Sequence, residues 1–165
     1  MIFGMTILTF VHVLLSLIGI LAGFIVLVGL LTARQLYGWT ALFIWTTVAT
    51  SVTGFLFPFH KFLPSHAVGI LSLVILTIAI YALYGKHLAG AWRKTYAVTA
   101  MIALYLNVFV FIAQLFMKVP ALKVLAPTQT EAPFKEAQLA ALLSFVVLTI
   151  LAAIRFRGEP VKSAV

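Results

Sequence analysis

Long apolar stretches alternate along this chain with short polar or basic segments. The first 32 residues carry no charged side chain, and four more apolar runs follow before the C-terminus. A helix needs about 20 apolar residues to cross a hydrocarbon core of about 30 Å. The pattern therefore predicts an all-α integral membrane protein, a single domain built as a bundle of five transmembrane helices. The predicted helices cover about residues 5–32, 39–58, 66–85, 95–118 and 136–155.

The composition agrees with a membrane protein and excludes a soluble domain. Hydrophobic residues make up 64% of the chain, charged residues only 8%, and the mean hydropathy is +1.21. The 11 Lys and Arg against 3 Asp and Glu would indicate nucleic-acid binding in a soluble protein. Here the basic residues lie beside apolar runs, where anionic lipid is the expected partner. We therefore expect the lipid bilayer, and other membrane subunits or a second copy, as partners, and no nucleic acid. The chain has no cysteine, which excludes disulfides and thiolate metal sites.

The distribution of basic residues predicts the orientation. The segments between the apolar runs form two alternate sets, one with seven Lys and Arg residues and one with four. The richer set is Arg34, Lys86, Arg93, Lys94, Arg155, Arg157 and Lys162, and the poorer set is Lys61, Lys118, Lys123 and Lys135. Because cytoplasmic loops are richer in Lys and Arg, the N-terminus is expected outside and the C-terminus in the cytoplasm, in the cell inner membrane. The turn at 53–69 and the loop at 118–136 then lie on the outer face.

Three of the four histidines are expected at one depth. The aromatic, proline-broken turn Thr53–Gly69 carries His60 and His66. Counting back about 20 residues from the inner end of the first helix places His12 at the same level, whereas His87 lies on the opposite side. Imidazole is a good ligand for haem iron and for copper. His12, His60 and His66 are therefore candidate metal ligands.

The environment of two of these histidines can be predicted further. His12 shares a helix face with Gly19 and Gly23, a GxxxG pair that allows close helix approach, so His12 is expected to face protein. Ser65 is a candidate N-cap that places His66 in the first turn of the third helix. There the helix dipole disfavours imidazolium and leaves the neutral form that binds metals. The alternatives are a packing seam with a hydrogen-bonded His12 at its rim and a His66 that only caps the turn.

A polar stripe on the fourth helix is the second candidate feature. Asn107, Gln114 and Lys118 lie on one face, with Asn107 near mid-membrane and Gln114 one turn from the outer surface. Polar groups at such depth are costly unless another helix, a ligand or water satisfies them. Asn107 and Gln114 are therefore candidate cofactor-binding residues. The alternative is that these amides pair helices, as the hydroxyls of the second helix are also expected to do.

The segment 118–136 is expected to be an irregular outer loop. It contains Pro120, Pro127 and Pro133, and loops of this length are often lids or partner surfaces. We expect it to roof the histidine site. The fifth helix is rich in alanine and is expected to serve for packing only.

As a whole the chain resembles small polytopic membrane proteins of bacteria, some of which are histidine-bearing bundles similar to b-type cytochromes. The resemblance rests on the histidine of the first helix, the turn FPFHKFLPSHAVG and the segment ALYLNVFVFIAQLF at 103–116. The chain departs from the haem-binding bundles because no helix carries two spaced histidines. Haem ligation is therefore not carried over to any residue.

Three functions stay open at the level of sequence. The first is a redox or metal-handling protein with a histidine-bearing site for haem or copper at the outer membrane surface. The second is a non-enzymatic accessory or structural subunit, in which the histidines and amides only stabilise helix contacts. The third is a quinone- or lipid-binding protein that uses His12 and Gln114. The chain has no P-loop, GxGxxG or HExxH motif, and whether it is an enzyme is not decided.

Overall fold

The computed structural model describes residues 6–57 and 64–157, and these ranges contain helices and no strand. The helices are α1 (Ile7–Leu31), α2 (Tyr37–Gly54), α3 (Pro64–Ile80), α4 (Trp92–Lys118), α5 (Pro120–Leu125) and α6 (Ala132–Arg155). A π-helical turn, Tyr81–Gly85, continues α3. Four helices are long and apolar enough to cross a membrane, namely α1, α3 with its π turn, α4 and α6. The prediction of an all-α protein with membrane-spanning helices is confirmed, whereas the count of five spans is not confirmed by length and composition.

Helix α4 lies at the centre of the bundle. It packs against α1, α3 and α6, while α2 packs against α1 and α3. The first four helices therefore form a ring, and α6 covers α4 from outside. Aromatic and aliphatic side chains such as Phe43, Leu76, Met101 and Leu104 fill the ring. Helix α6 contributes mainly Phe145 and Ala152 to the core and leaves most of its apolar surface exposed, as expected of a lipid-facing helix.

The GxxxG face of α1 is packed against α2 and α4, as predicted. A Cβ at Gly19 would lie 3.1 Å from Oγ1 of Thr46, and a Cβ at Gly23 would lie 2.5 Å from Cδ1 of Leu104 and 3.0 Å from the ring of Phe43. Both positions are buried. Glycine is therefore required at Gly23 because any side chain would overlap the neighbouring helices.

The segment 118–136 is more ordered than expected. Pro120 and Pro133 stand in the first turns of α5 and α6, so they start helices instead of breaking them. Helix α6 begins at Ala132, four residues before the predicted start at 136. The predicted irregular loop is wrong for these parts, because proline lacks only an N–H that the first helical turn does not use.

The turn between α5 and α6 is organised by one carboxylate. Glu131 accepts hydrogen bonds from the Thr128 hydroxyl at 2.8 Å and from the Thr130 amide at 3.0 Å. The hydrogen bond from the Thr128 side chain, followed by those from backbone amides, holds the pKa of Glu131 below its usual value. This carboxylate therefore stays ionised and closes the turn at neutral pH.

The substitution Gly23→Ala is expected to lower the free energy of unfolding by about 1–3 kcal/mol, because the added methyl group overlaps Leu104 and Phe43. Thermal unfolding in detergent measures the effect. Gly38→Ala is the matched control, since a Cβ there meets no atom within 4 Å, and it should leave stability unchanged or raise it by up to about 1 kcal/mol. Equal behaviour of the two variants would show that the face of α1 is not closely packed.

Candidate functional site

The structure places His12 against the C-terminal end of α2. Its Nδ1 lies 2.9 Å from Oγ1 of Thr53. The Thr53 hydroxyl has one proton, and it donates that proton to the Ala49 carbonyl at 2.7 Å. We assign the hydroxyl oxygen as the acceptor of Nδ1–H of His12, because the hydroxyl proton then satisfies the Ala49 carbonyl; with the other tautomer the hydroxyl would donate to Nδ1 instead. Neutral His12 is thus held in the tautomer whose Nε2 carries a lone pair and no proton.

The ring of His12 is held on a second side by an aromatic contact. Phe57 meets it edge to face, with ring centroids 5.2 Å apart. A Cβ at Gly54 would lie 3.6 Å from Cε1 of His12, so the imidazole lies beside the end of α2 at van der Waals distance. Within the described residues Nε2 has no hydrogen-bond partner. His12 is half-buried and presents an oriented, unprotonated nitrogen.

His66 lies at the same end of the bundle and is buried. Helix α3 begins at Pro64, so His66 stands in its first turn as predicted, but Ser65 lies inside the helix and the predicted N-cap role is wrong. The His66 ring packs on Phe55, with centroids 5.9 Å apart. Gly69 makes this possible, because a Cβ there would approach the Phe55 ring to 3.0 Å.

His12 and His66 contact different residues at the end of α2. His12 bonds Thr53 in the last turn of the helix, whereas His66 packs on Phe55, the residue that follows the helix. The helices that carry these histidines each pack on α2. His60, the third predicted ligand, lies outside the described residues. Among the residues that are described, no three His, Asp or Glu side chains are grouped as a metal site requires.

Asn107 pairs two helices across the ring. Its Nδ2 donates a 3.1 Å hydrogen bond to Oγ1 of Thr47, and both side chains are buried. A Cβ at Gly19 would lie 3.7 Å from the same nitrogen, so α1 closes over the pair. Neighbouring hydroxyls on α2 donate instead to carbonyls of their own helix; these are Thr46, Thr50 and Thr53. Asn107 therefore pairs two helices, as the alternative interpretation of the sequence predicted. Its role in cofactor binding stays a prediction.

Gln114 is exposed and has no hydrogen bond among the described residues. Two other glutamines bond the carbonyls of α4 in the same region. Nε2 of Gln129 donates to the Ala113 carbonyl at 2.7 Å, and Nε2 of Gln138 donates to the Phe109 carbonyl at 3.0 Å. These amides attach the turn and α6 to α4, a role that the sequence did not indicate for either residue.

Thr53 is the site residue that sequence reasoning missed. It was one of a run of hydroxyls on the second helix, all expected to serve in helix packing. Its position at the C-terminal end of that helix, at the predicted depth of His12, was the available signal. Only the proximity of α1 shows which hydroxyl of the run meets the imidazole.

The substitution Thr53→Val is expected to let neutral His12 populate both tautomers, because valine removes the oxygen that accepts Nδ1–H. Histidine ¹⁵N NMR of the labelled protein in detergent distinguishes a protonated from an unprotonated ring nitrogen. Thr50→Val is the matched control, since the Thr50 hydroxyl donates to the Thr46 carbonyl and does not bond His12. Retention of a single Nδ1–H tautomer in Thr53→Val would contradict this assignment.

The chain matches no protein-family model, no curated protein and no solved structure. The function is therefore argued from the geometry of His12, Thr53 and their surroundings.

Proposed function

We propose that this protein is a multi-pass membrane protein that binds a neutral, lipid-soluble molecule bearing a hydroxyl group, of the quinol class. Nε2 of His12 accepts the hydrogen bond from that hydroxyl at the outer end of α1 and α2. The observation that carries the proposal is the hydrogen bond from Nδ1 of His12 to Thr53, whose own proton is committed to Ala49. This arrangement leaves the second ring nitrogen as an acceptor with a defined direction.

The surroundings favour a neutral ligand. Phe57 provides an aromatic edge against the imidazole, and Phe55 lies close by in the same turn. The described carboxylates, Glu131 and Glu136, lie in the turn before α6 and in its first turns, and neither forms a hydrogen bond or an ion pair with His12 or Thr53. A flat hydroxyl-bearing ring can combine one hydrogen bond to His12 with stacking on Phe57.

A haem or copper site would use the same nitrogen of His12, with Thr53 as the outer hydrogen-bond partner that metal-bound histidines commonly have. A metal needs further ligands within about 2 Å. His66 packs on Phe55, and no group of three metal-binding side chains lies among the described residues, so the described histidines give no support to a metal site. The quinol-class ligand requires only the one oriented nitrogen that is present.

A structural accessory role is the second candidate. The hydrogen bond between Asn107 and Thr47 supports it, because this pair engages two buried polar groups in holding helices together. An accessory subunit would need His12 only for its contact with Thr53. Ligand binding separates the two candidates.

Five spans with the N-terminus outside form part of the proposal. Helix α2 has 18 residues, about 27 Å of helix. Its hydroxyls lower its apolar character, but Thr46, Thr47 and Thr50 are buried in the ring. Three of its hydroxyls are bonded to carbonyls of the same helix, which lowers the cost of placing them in the bilayer. The excess of basic residues on the segments that include Arg34 and Arg93 favours a cytoplasmic location for them in the inner membrane.

Reporter fusions test this topology. Fusions after Arg34 and after Lys123 are expected to report opposite compartments, with the first in the cytoplasm, because α2, α3 and α4 separate the two positions. The same compartment for both fusions would show that one of these helices does not cross the membrane. An exported reporter after Arg34 would reverse the orientation.

Binding of a short-chain quinol to the purified protein in detergent tests the function. His12→Phe, which keeps an aromatic ring but removes the acceptor, is expected to weaken binding about two- to tenfold, the value of one hydrogen bond. His87→Phe is the matched control, since His87 lies at the opposite end of the bundle, and it should bind as the parent does.

Other outcomes would contradict the proposal in distinguishable ways. Equal quinol binding by the parent and His12→Phe, or no binding by the parent, would favour the accessory role. An absorption spectrum and metal analysis of protein from native membranes complete the test. A haem Soret band or stoichiometric copper that His12→Phe loses would establish the metal site instead.

A further inference from the structure

A cavity of about 380 Å³ opens at the end of the bundle opposite His12. Its volume lies within the range of about 300–1,000 Å³ that small-molecule sites occupy. It is enclosed by the loop before α4, the first turn of α4 and the residues that follow α6. The lining residues are His87, Leu88, Ala89, Gly90, Arg93, Lys94, Phe156 and Arg157. Three permanent cations therefore surround one concave surface.

Phe156 forms the buried floor of the cavity. This residue follows α6 but turns into the bundle and is only 1% exposed. Its ring packs on Tyr96, with centroids 6.2 Å apart, and the Arg93 guanidinium lies 5.2 Å from its centroid. The cation–π contact therefore holds the Arg93 charge at the cavity wall.

The loop that forms the opposite wall is held in an unusual conformation. His87, Leu88 and Gly90 have φ angles of +48°, +57° and +52°. For the two residues with a Cβ this left-handed conformation is strained. Leu88 is buried, and its amide donates to the Ala82 carbonyl at 3.0 Å. Burial and this hydrogen bond keep the loop folded around the start of α4.

The cavity end of the molecule is strongly positive. Arg34, Lys86 and Arg155 add their charges to those of the lining residues, and the first turn of α4 contributes the positive end of its dipole. The carboxylates that the structure describes, Glu131 and Glu136, belong to the other end. Glu159, the third acidic residue of the chain, lies outside the described residues. The lining cations have no described carboxylate to neutralise them.

Aromatic contacts beside the cavity indicate its level relative to the membrane. Trp92 and Tyr81 meet edge to face at 5.2 Å, and the Lys86 ammonium lies 5.8 Å from the Trp92 ring. Trp and Tyr are enriched at the boundary between hydrocarbon and headgroups. The residues that line the cavity include neighbours of this pair in the sequence. The cavity lies at the end of the bundle where the α3 segment and α6 terminate and α4 begins. We therefore place it at the depth of the lipid headgroups.

We propose that this cavity is a binding site for the phosphate group of an anionic phospholipid. Arg93 and Lys94 bind the phosphate oxygens, above the cavity floor that the buried Leu88 and Phe156 form. Basic recesses between membrane helices suit lipid headgroups for this reason, and the planar guanidinium of Arg93 matches the phosphate geometry. The site is independent of the His12 site and its proposed ligand.

Native mass spectrometry of the full chain in detergent, titrated with phosphatidylglycerol, tests the site. The parent is expected to bind this lipid more tightly than phosphatidylcholine of the same chain length. Arg93→Gln and Lys94→Gln are each expected to weaken binding about fivefold, the effect of one charge near an anionic headgroup. Arg155→Gln is the matched control, because Arg155 has the same charge and lies at the same end but does not line the cavity.

The control and the competing ligands decide the outcome. An effect of Arg155→Gln as large as that of Arg93→Gln, or equal binding of the two lipids, would overturn a defined site in favour of general surface charge. Displacement of phosphatidylglycerol by millimolar inorganic phosphate would overturn the lipid as the source and assign the cavity to a free phosphate ion. Because Arg93→Gln also removes the contact with Phe156, Lys94→Gln keeps the test valid if the first variant does not fold.

Discussion

The close approach of α1 to α2 and α4 at Gly19 and Gly23 is the contact on which the rest of the bundle depends. In a bilayer, burial of apolar surface does not drive helices together, because lipid is as apolar as the side chains, so packing and hydrogen bonds must hold the bundle. Because Gly19 and Gly23 have no side chains, α1 approaches Phe43 and Leu104 closely. The same face carries His12, and the approach therefore also delivers the imidazole to Thr53.

Few of the polar side chains in the ring need water as a hydrogen-bond partner. Helix α2 is not among the helices apolar enough to qualify as membrane spans, yet the hydroxyls of Thr46, Thr50 and Thr53 bond carbonyls of their own helix, and Thr47 bonds Asn107. Thr53 combines both kinds of bond and so fixes the proton of His12. One hydroxyl among several similar ones thereby acquires a chemical role, because a second helix places an imidazole beside it.

The two ends of the bundle differ in chemistry. The end that carries His12 presents a neutral nitrogen base among phenylalanines, which suits a hydroxyl of a lipid-soluble molecule. The other end presents Arg93, Lys94 and Arg157 around a cavity with an apolar wall, which suits a phosphate. Both sites lie where helices end, since irregular backbone is tolerated at the membrane surface and not in contact with the hydrocarbon core.

The sequence by itself determined the all-α membrane class, the closely packed face of Gly19 and Gly23 and the need of Asn107 for a partner. These features follow from local composition and helical spacing. Tertiary structure alone decided that Thr47 bonds Asn107, that Thr53 holds His12, and that His66 packs on Phe55. It also decided that Phe156 packs beneath Arg93, although the two are far apart in the chain. The physical reason is that a hydrogen-bond partner depends on which helices are adjacent and how they are rotated. The hydroxyls of α2 and the prolines of 118–136 are each compatible with several arrangements of the neighbouring helices.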